Sequence, residues 1–222
     1  ATVAIRCRFP LRKREGTLIP AWRGMAMMVP KLRSARRNIR SGSLALVAGL
    51  MVCGATGAVA GASAPADIPI VGERIFPESV TSDAAGNIYV GSSANGTIYR
   101  AAKGAAQAKP WIVADQSNGL QSVLGVFADD ARARLWVCAN PKLGQAGGSA
   151  VKAFDLASGS LAASYDFPAG QPAACNDMAI AKDGTLFASE TLSGRIFTLA
   201  PGAKQLKLFA QSDALKGVDG IA

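Results

Sequence analysis

The chain has 222 residues, a formal net charge of +9 and no histidine. Residues 1–64 hold 11 Lys and Arg against one acidic residue, whereas residues 65–222 hold 13 against 14. The longer part therefore has a net charge of −1 and lacks the basic surface that nucleic-acid binding requires, so we expect no nucleic-acid partner. The lack of histidine excludes a Ser-His-Asp triad and a histidine-ligated zinc site within this chain.

The N-terminal part has the pattern of a signal peptide, in which basic residues precede an apolar run. Five cations lie within 31–40, and the apolar run extends from Leu44 to about Ala60. Small residues around 60–66 match the cleavage rule, so residues 25–64 are predicted to be a signal peptide removed there. A membrane anchor is the alternative, but the run is shorter than the roughly 20 residues of a spanning helix. We expect a periplasmic or secreted protein with no stable membrane partner after cleavage.

Residues 1–24 precede Met25, Met27 and Met28, any of which stands at a suitable distance before the basic segment. We interpret residues 1–24 as unstructured upstream read-through.

A repeat runs through the remaining 158 residues. Ile88, Leu135 and Leu186 occupy the same place in similar strand-and-turn segments and are 47 and 51 residues apart. A period of about 40–50 residues with four short strands per unit is typical of β-propeller blades. The sequence thus predicts an all-β β-propeller, six-bladed when complete, with about three blades present.

The predicted blades span about 77–116, 121–168 and 174–212, with an outer strand at 68–76 before them and the start of a fourth blade at 217–222. A Gly-rich insertion, Asn140–Ser149, interrupts the second blade. A six-bladed ring needs about 300 residues. We therefore expect a fragment of a ring, without turnover by itself.

Oxygen-bearing side chains precede three inner strands at the same register. Glu78, Asn176 and Asp219 each lie two positions before the first core residue of a strand, which is Val80, Met178 and Ile221, respectively. Inner strands begin around one mouth of a propeller channel, and a hard divalent cation binds carboxylate and amide oxygens. The alternative is that these polar residues only satisfy exposed backbone amides.

These motifs resemble those of the gluconolactonase, regucalcin (senescence marker protein) and luciferin-regenerating enzyme family. The resemblance covers about residues 68–222 and is carried by Pro77-Glu-Ser, Cys175-Asn-Asp-Met-Ala with Asp183-Gly-Thr-Leu-Phe, and Val218-Asp-Gly-Ile.

The resemblance implies a six-bladed, divalent-metal-dependent lactonase or related hydrolase. It implies Glu78, Asn176 and Asp219 as metal ligands and Asp219 also as the general base. The implied cation is calcium, with zinc or manganese as alternatives, and the implied partner is a small-molecule lactone or ester.

One position departs from the family pattern. The family's second blade adds an Asn that contacts water or substrate, and Leu124 or Gly125 holds that place here, with Gln121 or Ser122 as candidate substitutes. This departure favours the alternative of a non-catalytic propeller that binds a protein or glycan through rim loops. A lyase-type propeller is a third, weaker alternative.

The sequence also predicts roles for two acidic residues, two cysteines and five aromatic residues. Asp177 is interpreted as a turn carboxylate that bonds its own backbone, with a place beside the metal ligands as the alternative, and Glu190 as solvated. Cys138 and Cys175 are expected to pair in the oxidising compartment, the alternative being two small buried apolar side chains. Five aromatic residues are expected to pack between blades: Trp111, Trp136, Phe154, Phe187 and Phe197.

Overall fold

The computed structural model describes residues 3–5, 67–145 and 147–222. The predicted signal peptide and its cleavage sites lie outside these residues. Strand β1 (Val3–Ile5) pairs antiparallel with β2 (Ile68–Ile70). The prediction that residues 1–24 are unstructured therefore does not hold at residues 3–5.

Three four-stranded antiparallel sheets follow, each built in chain order from one segment. Blade 1 comprises β3 (Pro77–Ser82), β4 (Ile88–Ser92), β5 (Ile98–Ala101) and β6 (Lys109–Ile112). Blade 2 comprises β7 (Ser122–Asp129), β8 (Arg134–Asn140), β9 (Ala150–Asp155) and β10 (Leu161–Asp166). Blade 3 comprises β11 (Cys175–Ile180), β12 (Leu186–Glu190), β13 (Arg195–Leu199) and β14 (Lys207–Gln211). The chain is an all-β protein of about three propeller blades, as the sequence predicted.

Local turn chemistry forms the hairpins between the strands. Gly184 adopts φ +90°, which favours glycine, and its N–H donates to the Ala181 carbonyl at 2.8 Å. The Asp183 carboxylate accepts from the Thr185 N–H at 2.9 Å. These two bonds close the hairpin that Lys182-Asp183-Gly184 predicts between β11 and β12.

The apolar core lies between neighbouring blades because each sheet buries one face against the next. Tyr89 and Ile98 of blade 1 pack with Leu135 and Phe154 of blade 2. Cys138, Val151 and other residues of blade 2 pack with Met178, Leu186 and Phe197 of blade 3. Phe154, Phe197, Trp111 and Trp136 thus contribute to packing between blades, as expected.

Phe187 differs from this expectation. It follows Leu186, which packs against blade 2, and alternation along β12 turns Phe187 to the opposite face. There its ring contacts Phe209 of the same blade edge-on, with centroids 5.3 Å apart.

Two further expectations are corrected. The outer strand predicted at 68–76 is limited to β2, and the chain beyond it leaves the extended conformation, with Arg74 and Phe76 at positive φ. Residues 217–222 form no strand in the described part of the chain, although they approach β11. Within the described residues, no helix is long and apolar enough to cross a membrane.

Candidate functional site

The three inner strands contain a β-bulge at the same position. In β3, two residues between Pro77 and Val80 oppose one residue of β4, and the same shift occurs between Val123 and Val126 and between Cys175 and Met178. A bulge of this kind re-aims side chains near a sheet end. The shared position of the bulge also gives an alignment of the three blades that does not depend on sequence similarity.

The bulge places Glu78, Leu124 and Asn176 at equivalent positions. This agrees with the alignment of Glu78 and Asn176 that the sequence suggested. It also identifies Leu124, and not Gly125, as the residue that holds the equivalent place in blade 2.

Asp219 reaches the same register without belonging to a strand. The Ile221 N–H donates to the Asp177 carboxylate at 3.3 Å, and the Ser189 hydroxyl donates to the Asp219 carbonyl at 2.9 Å. In blades 1 and 2 the Val126 N–H donates to the Ser79 hydroxyl at 3.2 Å in the same way. Ile221 therefore corresponds to Val126, and Asp219, two positions earlier, corresponds to Leu124.

The candidate ligands have side-chain oxygen atoms that no described residue engages. Glu78 and Asp219 are exposed and Asn176 is half-buried. No side-chain hydrogen bond or ion pair engages any of the three in the part of the chain that the structure describes. Two carboxylates and an amide are oxygen donors of the type that a hard divalent cation accepts. Their oxygen chemistry suits such a cation, and apolar Leu124 is the exception among the equivalent positions.

No group of three or more His, Cys, Asp or Glu side chains among the described residues is arranged to hold a metal ion. The candidate set contains only two carboxylates, so the amide of Asn176 is essential to it.

Two contacts from blade 2 hold the backbone next to Asn176. Cys175 forms a disulfide with Cys138, with Cα atoms 5.1 Å apart, which confirms the expected pairing. The buried Asn140 side chain accepts from the Cys175 N–H and donates to the Cys175 carbonyl, both at 2.9 Å. No sequence signal distinguishes Asn140, the last residue of β8, from other amide residues near strand ends.

The structure corrects the interpretation of Asp177. This residue lies within β11 and not in a turn, and its carboxylate accepts from Ile221 and not from its own backbone. Its N–H donates to the Ser189 hydroxyl at 3.0 Å. Asp177 thus joins blade 3 to the segment that carries Asp219. Asp177 is equivalent to Ser79 because each is the second residue of the bulge in its inner strand, and the sequence does not reveal the bulge.

The interpretation of Glu190 as solvated is wrong. Its side chain is 0% exposed and forms an ion pair with the buried Arg195, Nε to Oε2, at 2.8 Å. It also accepts from the N–H groups of Ala174, Leu192 and Ser193 at 2.8–3.1 Å. Glu190 therefore fixes the two loops that flank the start of β11.

A groove of about 600 Å³ opens at the same rim, between blades 1 and 2. Gln121 lines the groove, and its side-chain oxygen accepts from the Lys142 N–H at 3.4 Å. Ser122 is 7% exposed. Of the two candidate substitutes in blade 2, Gln121 is thus the one that lines this groove. Its other polar lining residues are Asn95, Asp115, Gln116, Lys142 and Gln145.

Among solved structures, the chain is similar to a catalytically inactive virginiamycin B lyase from Staphylococcus aureus with quinupristin. The TM-score is 0.52 at 12% identity, covering 66% of this chain and 45% of the lyase. A chain of a nidogen–laminin complex is also similar, with a TM-score of 0.49 at 16% identity. The match covers 69% of this chain and 53% of that one. No protein-family model and no curated protein matches the sequence.

The class that the sheets and the first similarity define is the β-propeller. The chain spans about half the length of these structures, and identities at this level concern the fold alone.

Proposed function

We propose that the protein is an exported, divalent-metal-dependent hydrolase that acts on a lactone or similar ester. The observation that carries the proposal is the unused oxygen donor at the equivalent position of blade 1, blade 3 and the 217–222 segment. Glu78, Asn176 and Asp219 would hold the cation, and calcium suits a set of carboxylate and amide oxygens. The disulfide between Cys138 and Cys175 supports export, since such bonds persist in oxidising compartments.

The bound cation would polarise the substrate carbonyl and acidify a water molecule. The Asp219 carboxylate would accept a proton from the attacking water as the water oxygen bonds to the carbonyl carbon. When the ester carbon–oxygen bond breaks, the same carboxyl would return the proton to the alcohol oxygen. Cys175 and Asn140 would keep Asn176 in place during this step because they fix its backbone from blade 2.

Substitution of Asn176 by Leu tests the proposal, because it introduces the residue that β7 carries at the equivalent bulge. We expect the variant to fold and its calcium affinity, measured by calorimetry on the intact protein, to fall at least about tenfold. Lactone hydrolysis should fall with it. Ser164→Ala, on the outer strand of blade 2, is the matched control and should retain both properties.

The proposal fails if the intact protein binds neither calcium, zinc nor manganese and Asn176→Leu leaves all activity intact. Leu124 favours a second candidate, a propeller that binds a protein or glycan at its rim without catalysis. Partner binding that chelators do not affect, in a protein without hydrolase activity, would support that candidate instead.

A further inference from the structure

A second groove of about 550 Å³ lies at the edge of blade 1, away from the candidate metal ligands. The turn that joins β5 to β6 forms it, at the end of the blade opposite the start of β3. Its polar lining residues are Arg100, Gln107 and Lys109. Trp111, Pro110 and three alanines supply an apolar wall.

Two aromatic rings hold the Arg100 guanidinium in this groove. Its central carbon lies 5.7 Å from the centroid of the Tyr89 ring and 5.4 Å from that of Trp111. Tyr89 and Lys109 stand directly opposite Arg100 on the neighbouring strands, so the three side chains share one face. These cation–π contacts hold the guanidinium at the groove before any ligand arrives.

No side-chain hydrogen bond engages Arg100 among the described residues. Its Nε is buried without a hydrogen-bond partner, and no ion pair engages the guanidinium in the described part of the chain. A buried donor without an acceptor is costly, so such a group calls for an explanation. The guanidinium also lines the groove, where an anionic ligand would offer acceptors to its other nitrogens.

The charge of the groove favours an anion. Its described lining contains two cations, Arg100 and Lys109, and no carboxylate. The Asp83 carboxylate, whose field reaches Arg100, is engaged elsewhere, accepting from the Asn87 side chain at 2.6 Å and from the Tyr89 hydroxyl at 2.9 Å. It therefore offsets part of the positive charge without pairing with Arg100.

We infer that this groove binds a small organic carboxylate. The ligand's two oxygens accept from the Arg100 guanidinium, whose fork matches a carboxylate, and Lys109 adds a second positive charge. The apolar body of the ligand lies against Trp111 and the alanines. This inference does not depend on the proposed hydrolase function, since none of these residues belongs to the candidate metal site.

Titration of the full chain with benzoate, followed by the indole N–H resonances of its tryptophans, tests the inference. We expect the Trp111 resonance to shift and saturate with a Kd on the order of 1 mM, while that of Trp136 stays in place. Benzamide has nearly the same shape without the charge and should bind at least about tenfold more weakly. Asp83→Asn should tighten benzoate binding, because it removes the offsetting negative charge.

Arg100→Gln should weaken benzoate binding at least about tenfold, and Lys109→Gln should weaken it to a smaller extent. Arg134→Gln is the matched control, because Arg134 pairs with Asp155 outside the groove. Lys109 is exposed, so its variant keeps the test valid even if Arg100→Gln does not fold. The inference is overturned if benzoate fails to bind, if benzamide binds equally well, or if Lys109→Gln has no effect. Inorganic phosphate binding as tightly as benzoate would overturn the assignment to carboxylates.

Discussion

At the scale of single residues, Gly125 shows how closely blades 2 and 3 approach. It lies in the bulge of β7, and a Cβ there would stand 2.6 Å from the Asn176 carbonyl oxygen and 2.8 Å from the Asp177 Cα. Both neighbours are backbone atoms, which cannot swing aside as a side chain does. The glycine is therefore required by the backbone that carries Asn176.

Gly125→Ala should destabilise the protein by about 1–3 kcal/mol, the usual cost of overpacking, in a urea unfolding experiment. Gly148→Ala is the control, since a Cβ at Gly148 meets nothing within 4 Å and should change stability by no more than about 0.5 kcal/mol. Equal stability of the two variants would show that the backbones of β7 and β11 separate easily.

The interpretations of Asp177 as a turn carboxylate and of Glu190 as solvated were wrong for reasons that concern single residues. An Asp or Glu near a strand end is usually exposed to solvent and seldom buried. Solvation or a local turn is therefore the default expectation for such a residue. The partner of Asp177 is 44 residues away at Ile221, and Glu190 requires the buried Arg195 beside it. The first partner lies in the segment that follows blade 3, and the second contact depends on burial. Local sequence reveals neither.

At the scale of elements, the residue opposite each inner-strand bulge links its blade to the next segment. In blade 1 this residue is Gly91, where a Cβ would collide with Val123 of blade 2. In blade 2 it is Cys138, which bonds Cys175, and in blade 3 it is Ser189, which donates to the Asp219 carbonyl. One structural position thus makes a close contact, a covalent bond and a hydrogen bond in successive blades.

The disulfide should be the strongest of these three links. Removing it in the double variant Cys138→Ser, Cys175→Ser should cost about 3–4 kcal/mol, because the bond closes a loop with a sequence separation of 37 residues. Calorimetric melting of the oxidised protein and the double variant measures the loss. Ser164→Ala, on the outer strand of blade 2, leaves the bond in place and serves as the control. An unchanged melting temperature in the double variant would mean that the other contacts of β11 suffice without the disulfide.

At the scale of the whole molecule, stability resides in the contacts between neighbouring sheets. Blades 1 and 2 share one buried cluster and blades 2 and 3 another, whereas residues 70 and 75 cover the remaining face of blade 1. Blade 3 presents Phe187 and the 65% exposed Phe209 on its face away from blade 2. In blades 1 and 2 the corresponding face is covered by the next blade.

Turn carboxylates distributed over all three blades should make stability depend on pH. The backbone N–H of Ser158 lowers the pKa of Asp155, and that of Thr185 lowers the pKa of Asp183, below the ordinary value of 3.8. For Asp83, burial acts to raise the pKa, but hydrogen bonds from Asn87 and Tyr89 and the charge of Arg100 outweigh it. The native state therefore binds protons less readily than the unfolded state.

A depressed native pKa contributes stability that is present above the unfolded pKa and is lost as the pH falls through the native pKa. The urea midpoint should therefore remain high above about pH 4 and decline below it. Asp183→Asn should reduce this decline, because an amide can still accept from Thr185 but does not titrate. A midpoint as high at pH 3 as at pH 6 would contradict the prediction.

The sequence by itself determined the repeat, the turns and the strands of the three blades, and it brought Glu78, Asn176 and Asp219 into one register. These features follow from side-chain alternation and turn residues, which act over a few neighbouring positions. Only the tertiary structure decided that Leu124 holds the equivalent place in blade 2, that Asp177 joins β11 to Ile221, and that Arg100 lies against the rings of both Tyr89 and Trp111. Each of these depends on a bulge or on a contact with a segment distant in sequence. Neither produces a periodic pattern in the amino-acid sequence.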